Sequence, residues 1–188
     1  IELNYYKFSD PKNENTINVH PYLLKEYNRR WFLFAAAEID EKLLCFSLDR
    51  IKSITPLPSH RYAEYRDDIN EVFDDIVGVT LYSDSPIYNI YIWVSNVSKD
   101  YVATKPLHES KRKVSGEKEE EFRKVYPQLN EGRFFRLDCK FNYELIRELS
   151  SFGKELLVLE PSFIQDRVFE RVTDMYKDYA MIRSQNLT

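Results

Sequence analysis

Two short apolar segments around a polar turn constrain the fold of this chain more than any other feature. The stretch RRWFLFAAAEIDEKLLCFSLDRIKSI runs from Arg29 to Ile54, with a strand-like segment on each side of IDEK. This pattern predicts a β-hairpin with a longer loop. The upstream segments IELNYYKF and INVHPYLLKEYN also read as strands, which gives four or five short strands before residue 58. We therefore expect a small barrel or a strongly curved sheet.

Arg50 does not fit the apolar pattern of its segment. It has the same parity as Phe46 and Leu48, and alternate residues of a strand share one face. An unbroken strand would therefore point a guanidinium toward apolar side chains. Three explanations remain open: an anion-binding site, an ion pair with Asp49 or Glu38, or a bulge that turns the arginine outward.

The second part of the chain predicts a different architecture. After Pro56 and Pro58, RYAEYRDDINEVFDDIVG has apolar residues at helical spacing and predicts a connector helix. The later segments follow the order strand, helix, strand, strand, helix, strand, as in a ferredoxin-like αβ sandwich. We expect an α+β protein with a β-barrel domain at 1–66, a connector at 67–80 and a ferredoxin-like extension at 81–188.

Two helices near the C-terminus have recognisable ends. Asn142 is placed to cap the first helix and Gly153 to end it. The second begins at Ser162, with Gln165 at capping-box spacing. One face of this helix is apolar and is expected to be a packing or dimer surface rather than a cofactor site. That face carries Ile164, Val168, Val172, Met175 and Tyr179.

Composition excludes several classes of protein. The net charge is −4, from 27 Lys and Arg against 31 Asp and Glu, so any contact with nucleic acid must be local. No apolar run approaches the roughly 20 residues of a membrane helix. The two cysteines, Cys45 and Cys139, lie in strand-like segments. We expect both to be reduced and buried, in a cytoplasmic protein.

Residues suited to catalysis are sparse. The chain has four widely spaced glycines and therefore no phosphate-binding glycine loop. Its three histidines are far apart, without metal-ligand spacing. Near the basic residues of the first block, His20 is the only candidate for general acid–base catalysis. We expect no enzyme, no metal and no cofactor.

Polar and aromatic residues in the first block form the candidate site. The planar fork of arginine binds phosphate or carboxylate, and aromatic rings can stack on bases. Such a site suits an anionic ligand with a flat ring, which describes a nucleotide or a short single-stranded nucleic acid. Trp31 has a second interpretation, as a core residue. The expected ligand-binding residues are Tyr5, His20, Tyr22, Arg29, Arg30, Trp31 and Arg50.

The same segments resemble the WYL domain, which is named for Trp-Tyr-Leu. VHPYLLKEYNRRWFLFAAA followed by FSLDRIKSI matches the family's pattern in order and spacing over residues 3–54. DINEVFDDIVGV is similar to the connector of WYL proteins, and the remainder resembles their C-terminal extension. Phe32 replaces the signature tyrosine, and Leu44 stands where many members have an arginine. By motif position, the matching residues are Tyr5, His20, Arg30, Trp31 and Arg50.

The resemblance implies an SH3- or Sm-like barrel followed by a ferredoxin-like extension. It also implies a bacterial transcription regulator whose helix-turn-helix domain precedes these 188 residues. We therefore expect an effector-sensing homodimer that binds an anionic ligand and reaches duplex DNA through the missing domain. The alternative is a ligand-free oligomerisation module of a DNA-binding protein, with the Trp31 strand and the Ser162 helix as interfaces.

Overall fold

A computed structural model describes most of the chain and divides it into two compact units. The described residues are 1–66, 68–82, 85–105 and 107–185. The first unit comprises Ile1–Phe73 and Gly78–Leu81, and the second comprises Asp74–Val77 and Tyr82–Thr188. Each unit is built on an antiparallel sheet, so the protein belongs to the mixed α+β class.

The first unit contains a five-stranded antiparallel sheet. Its strands are β1 (Glu2–Lys7), β2 (Asp10–Tyr27), β3 (Arg30–Ala37), β4 (Leu43–Ser47) and β5 (Ile51–Thr55). The order across the sheet is β4-β3-β2-β1-β5. The described residues contain no pairing between β4 and β5, so the sheet is open rather than a closed barrel. The predicted hairpin is confirmed as β3 and β4.

Strand β2 is long and pairs with two neighbouring strands, β1 and β3. Its first part pairs with β1 and its second part pairs with β3. The register shifts between Pro21 and Leu23, which makes Tyr22 the extra residue of a bulge. A proline usually favours an edge or a strand end, but Pro21 lies inside β2 because a bulge tolerates the missing N–H. The reversal before β2 occurs ahead of Asp10, so Pro11 belongs to the strand rather than to the turn.

The two faces of this sheet carry different side chains. We call the inner face the one that holds a core of Leu3, Val19, Leu33, Ala35 and Phe46. The outer face carries the alternate residues of the same strands. There Phe34 is fully buried, and its ring packs edge-on at 4.8 Å from the ring of Phe73. Both faces of β3 are therefore covered.

The segment between the two sheets is less helical than its pattern predicts. A helix, α1, covers only Glu71–Asp74. Asp67, where the predicted connector begins, lies outside the described residues. The boundaries 1–66, 67–80 and 81–188 stay predictions.

The second unit alternates strands and helices. Its elements are β6 (Ile87–Val94), α2 (Lys99–Thr104), β7 (Arg112–Lys113), α3 (Glu117–Val125), β8 (Arg133–Lys140), α4 (Tyr143–Ser151), β9 (Leu156–Glu160) and α5 (Ser162–Gln185). The sheet order is β7-β8-β6-β9, and all its pairs are antiparallel. The segment LHESKRKV, where the sequence order predicts a strand, contains only the two residues of β7. The sequence predicts that Pro106 ends α2, and this residue lies outside the described residues.

Both faces of the second sheet are covered by helices. On one face, Leu145 of α4 and Ile164 of α5 are buried in a core that includes Phe135. On the other face, Phe122 of α3 stacks on Phe134 at 5.6 Å between ring centroids. Neighbouring residues of β8 thus point to opposite cores, as its alternating sequence predicts.

The ends of α4 confirm the sequence prediction. The Asn142 side-chain oxygen accepts the backbone N–H of Leu145 at 2.8 Å, and its amide donates to the buried carbonyl of Val77 at 2.8 Å. Gly153 follows the helix with a φ of 54°. The predicted capping box of α5 is not formed. The side-chain amide of Gln165 does not bond back to Ser162 but donates to the carbonyl of Val158.

Only one of the two cysteines is fully buried. Cys139 is fully buried, and burial raises the pKa of its thiol to about 12. Cys45 is only partly buried, because it lies on β4 near the edge of the first sheet. None of the helices in the described ranges is long and apolar enough to cross a membrane.

Candidate anion-binding site

The seven sequence-predicted residues do not form one site. Val19 belongs to the inner core, and its neighbour His20 therefore points to the outer face. Tyr5 packs on the inner face, where its ring lies 5.1 Å from the ring of Phe46 in an edge-on contact. The sheet thus separates Tyr5 from His20. The alternation of residues along β2 could have assigned His20 to the outer face. The order of the motif residues along the chain does not indicate the face.

Arg50 lies with Tyr5 at the inner face. A short 3₁₀ turn, Leu48–Arg50, interrupts the strand pattern between β4 and β5. The guanidinium carbon of Arg50 lies 5.0 Å from the centroid of the Tyr5 ring and 5.3 Å from that of Phe8. A cation at these distances from ring faces is attracted by their quadrupoles. Arg50 is therefore positioned by aromatic rings rather than by a carboxylate.

The acidic neighbours considered for Arg50 have other partners. Asp49 forms an ion pair with Arg30 at 3.4 Å, and Glu38 contacts His60 at 2.8 Å. Within the described ranges, Arg50 forms no ion pair, and its Nε atom is shielded from solvent without a hydrogen-bond acceptor. A buried donor without an acceptor costs about 1–3 kcal/mol. An anion at this position would remove that cost.

Tyr5 supplies a neutral hydroxyl next to this guanidinium. Burial raises the pKa of the Tyr5 phenol, while the positive charge of Arg50 acts in the opposite direction. The phenol therefore keeps its proton at neutral pH and can donate a hydrogen bond. Together, Tyr5 and Arg50 offer donors to an anion and a ring face to a flat group.

Phe8 and Arg30 complete the inner cluster. Phe8 follows β1 and is 53% exposed, and the guanidinium carbon of Arg30 lies 5.9 Å from its ring centroid. Sequence reasoning missed Phe8, whose only signal is an aromatic residue just before a turn. Leu44 packs against the same inner core and adds no charge to this face.

The outer-face cluster attaches a loop to the sheet. The backbone N–H of Ala63 donates to His20 Nδ1 at 3.3 Å, and the Tyr62 hydroxyl donates to the Pro21 carbonyl at 3.0 Å. The ring of Tyr22 lies 5.2 Å from that of Tyr65. Burial raises the pKa of the Tyr22 phenol. These contacts hold residues 62–65 on the sheet, so His20 and Tyr22 have a structural explanation.

The two remaining candidates lie at the β2–β3 turn. Arg29 is exposed, with a left-handed φ of 63°. Trp31 is 53% exposed and lies opposite Glu26 of β2, so the core interpretation of Trp31 is wrong. Neither residue contacts Arg50 by any ring or ion-pair contact among the described residues.

The described residues contain no group of three or more His, Cys, Asp and Glu side chains that could hold a metal ion. The chemistry offered by the inner cluster is accordingly that of cationic and hydroxyl donors with aromatic rings.

Comparison with known proteins places a family match on the first unit. Curated proteins gave no match. Among solved structures, the chain is similar to the proteasome accessory factor B/C (PafBC) of Arthrobacter aurescens, with 18% identity and a TM-score of 0.35. The alignment covers 92% of this chain and 24% of that one, so this chain spans about a quarter of the PafBC chain. The model of the WYL domain matches residues 1–56, which include all seven candidate residues.

Proposed function

We propose that the first unit senses an anionic effector through Arg50. The observation that carries this proposal is the Arg50 guanidinium, which is partly buried between two aromatic rings with no acceptor for its Nε atom. Structural arginines of this kind normally pair with a carboxylate. Here a ligand phosphate or carboxylate would take that place.

The ligand class follows from the neighbours of Arg50. Tyr5 and Phe8 provide ring faces, and Arg30 provides a second cation that is held by Asp49 at 3.4 Å. A nucleotide or a short single-stranded nucleic acid combines the phosphate and the flat ring that such a cluster would bind. Leu44 adds no third positive charge to the cluster. The ligand would therefore contact about two arginines, Arg50 and Arg30.

The finer fold assignment is part of this proposal. The strand order β4-β3-β2-β1-β5, with a bulged β2 shared between two neighbours, is consistent with a partly open SH3- or Sm-like barrel. The order β7-β8-β6-β9, with helices after β6 and β8, is consistent with a ferredoxin-like sandwich. Both agree with a WYL domain followed by its C-terminal extension.

The regulatory context is proposed by analogy with the family. The chain would be the sensing part of a dimeric, cytoplasmic bacterial transcription regulator that reaches duplex DNA through an upstream helix-turn-helix domain. An output requires the effector to bind one state of the regulator better than another. No catalytic step is part of this function.

Fluorescence anisotropy with labelled single-stranded DNA and RNA oligonucleotides, competed by nucleotides, tests the proposal. Arg50→Gln should abolish binding, whereas Arg61→Gln removes the same charge from an exposed loop position and should not. His20→Gln should also bind normally, because His20 lies on the other face. With two phosphate contacts, affinity should fall about sevenfold between 50 and 200 mM salt, since each contact adds about −0.7 to the logarithmic slope.

Two results would reject the assignment. If Arg50→Gln binds as well as the unchanged chain, the anion does not use Arg50. If Arg50→Gln loses stability while binding persists, the arginine is structural.

The alternative is a ligand-free oligomerisation module of a DNA-binding protein. The observation in its favour is the long exposed face of α5, where Phe169 and Tyr176 are 68% and 72% exposed. This alternative predicts that none of the tested ligands binds, and that thermal stability rises with protein concentration.

A further inference from the structure

Helix α5 leaves most of its apolar side uncovered in the part of the chain that the structure describes. Its first turns pack on the second unit, where Ile164 is fully buried and Val168 contacts the core. From Phe169 onward, every large apolar side chain of α5 is at least 42% exposed. Contiguous apolar surface of this kind usually marks an interaction site.

All but one of the exposed large apolar residues from Phe169 onward form one face of the helix, and Met181, which is 56% exposed, lies outside it. At 3.6 residues per turn they lie within an arc of roughly 140°. They are Phe169, Val172, Met175, Tyr176, Tyr179 and Ile182. The opposite face is polar apart from Met181 and forms its own ion pairs, Arg167 with Glu170 at 3.0 Å and Lys177 with Asp174 at 3.4 Å.

A groove runs along the apolar face. It has a volume of about 560 Å³ and lies between the last turns of α4, at Ser150 and Ser151, and the exposed half of α5. The charged side chains that α5 contributes to it are Arg171 and Asp178. Both are exposed, and neither forms an ion pair within the described ranges.

The spacing of these two charges makes the helix complementary to itself. Arg171 and Asp178 are seven residues apart, which is close to two turns, so they lie on the same edge of the apolar face. A two-fold axis perpendicular to two antiparallel helices reverses their direction, and each Arg171 then meets an Asp178. A shift of one heptad would instead place Asp178 opposite itself. The charges therefore select one orientation and one register.

We propose that α5 pairs with the α5 helix of a second copy of this chain, antiparallel and about a two-fold axis. In this register Arg171 faces the partner's Asp178, and Val172 lies against the partner's Met175. The ring of Phe169 faces the partner's Tyr176. This interface rests on the dimeric arrangement in the proposed function and gives it a location and a register, and it does not depend on the anion site of the first unit.

The available area fits a stable dimer. An aromatic side chain buries roughly 150–250 Å². Phe169, Tyr176 and Tyr179 are 68%, 72% and 62% exposed. Together they offer roughly 400 Å² per copy, which is about half of the 800 Å² that each partner contributes to a standard interface. The aliphatic residues of the same face supply further area.

Analytical ultracentrifugation of the whole chain over a concentration series tests this pairing. Arg171→Asp or Asp178→Arg should each weaken the dimer about tenfold, because two attractive pairs become two like-charge pairs. The double variant should restore the original affinity. Lys177→Asp is the matched control, since it makes the same charge change on the polar face and should leave the dimer unchanged.

Three outcomes would overturn the proposal. If the chain is a monomer at all concentrations, the apolar face of α5 does not bind a second copy, and the proposed pairing is wrong. A dimer that tolerates both single variants, or a double variant that is not restored, would reject the register. Circular dichroism of each variant confirms that the helix is intact. Because Arg50→Gln should not affect dimerisation, this test fails or succeeds independently of the anion site.

Discussion

Replacement of Asn142 by alanine should destabilise the second unit more than the loss of an ordinary helix cap. The Asn142 side chain is fully buried and makes two bonds of 2.8 Å, one from the N–H of Leu145 and one to the carbonyl of Val77. Loss of the cap costs about 1 kcal/mol. The carbonyl of Val77, left buried without this donor, costs a further 1–3 kcal/mol or so. The expected total is about 2–4 kcal/mol.

Ser98 provides the matched control. It precedes α2 as Asn142 precedes α4, but its side chain makes no capping hydrogen bond, and its backbone is already helical. Ser98→Ala should therefore change the unfolding free energy by less than about 0.5 kcal/mol. A sequence rule that treats both residues as caps would predict similar losses.

Urea unfolding can measure these effects in the second unit alone. The chain has two tryptophans, of which Trp31 lies in the first unit and Trp93 in the second. In a Trp31→Phe background, fluorescence reports on Trp93, whose indole N–H donates to the carbonyl of Glu131 at 2.6 Å. A loss of less than 1 kcal/mol or so for Asn142→Ala would show that the bond to Val77 adds nothing beyond an ordinary cap.

Three further predictions concern the same unit. Gly132 has a φ of 95°, and a Cβ there would lie 2.4 Å from a backbone carbonyl oxygen of β6, so Gly132→Ala should cost about 3 kcal/mol or more. Gly153→Ala, with a φ of 54° and no atom within 4 Å of its Cβ, should cost only about 1 kcal/mol in the same urea assay. Burial lowers the pKa of His108 from its ordinary value of 6.5, so its contribution to stability is complete above that pH and decreases as the pH falls below it. His108→Gln should flatten the dependence of the Trp93 transition on pH between 7 and 5, and an unchanged profile would contradict this assignment.

Much of the fold could be predicted from local patterns. The alternation in β8, the hairpin of β3 and β4, and the ends of α4 at Asn142 and Gly153 all depend on neighbours in sequence. The predicted connector helix is longer than the observed one. Apolar residues such as Ile69 and Val72 have helical spacing, but α1 has only four residues. Tertiary packing of Phe73 against Phe34 decides the conformation there, and such a contact leaves no local signal.

The candidate site was predicted less well, because family motifs order residues along the chain without assigning them to faces. Arg50 and Tyr5 do lie together, although their meeting requires β1 to pair with β5 across some fifty residues. His20 and Tyr22 share the same motif but lie on the opposite face. The position of His20 could have been derived from the parity of Val19, whereas the contact of Phe8 with Arg50 could not.

The path of the chain between the two units limits how the protein can be cut. Residues 74–77 belong to the second unit and residues 78–81 return to the first, so the two folds are interleaved in sequence. A protease cleaving after Phe73 would detach Gly78–Leu81 from the first unit. Cleavage before Tyr82 would detach the buried Val77, and with it the partner of Asn142, from the second. Neither cleavage would release two complete pieces, so limited proteolysis here should inactivate the protein rather than separate its functions.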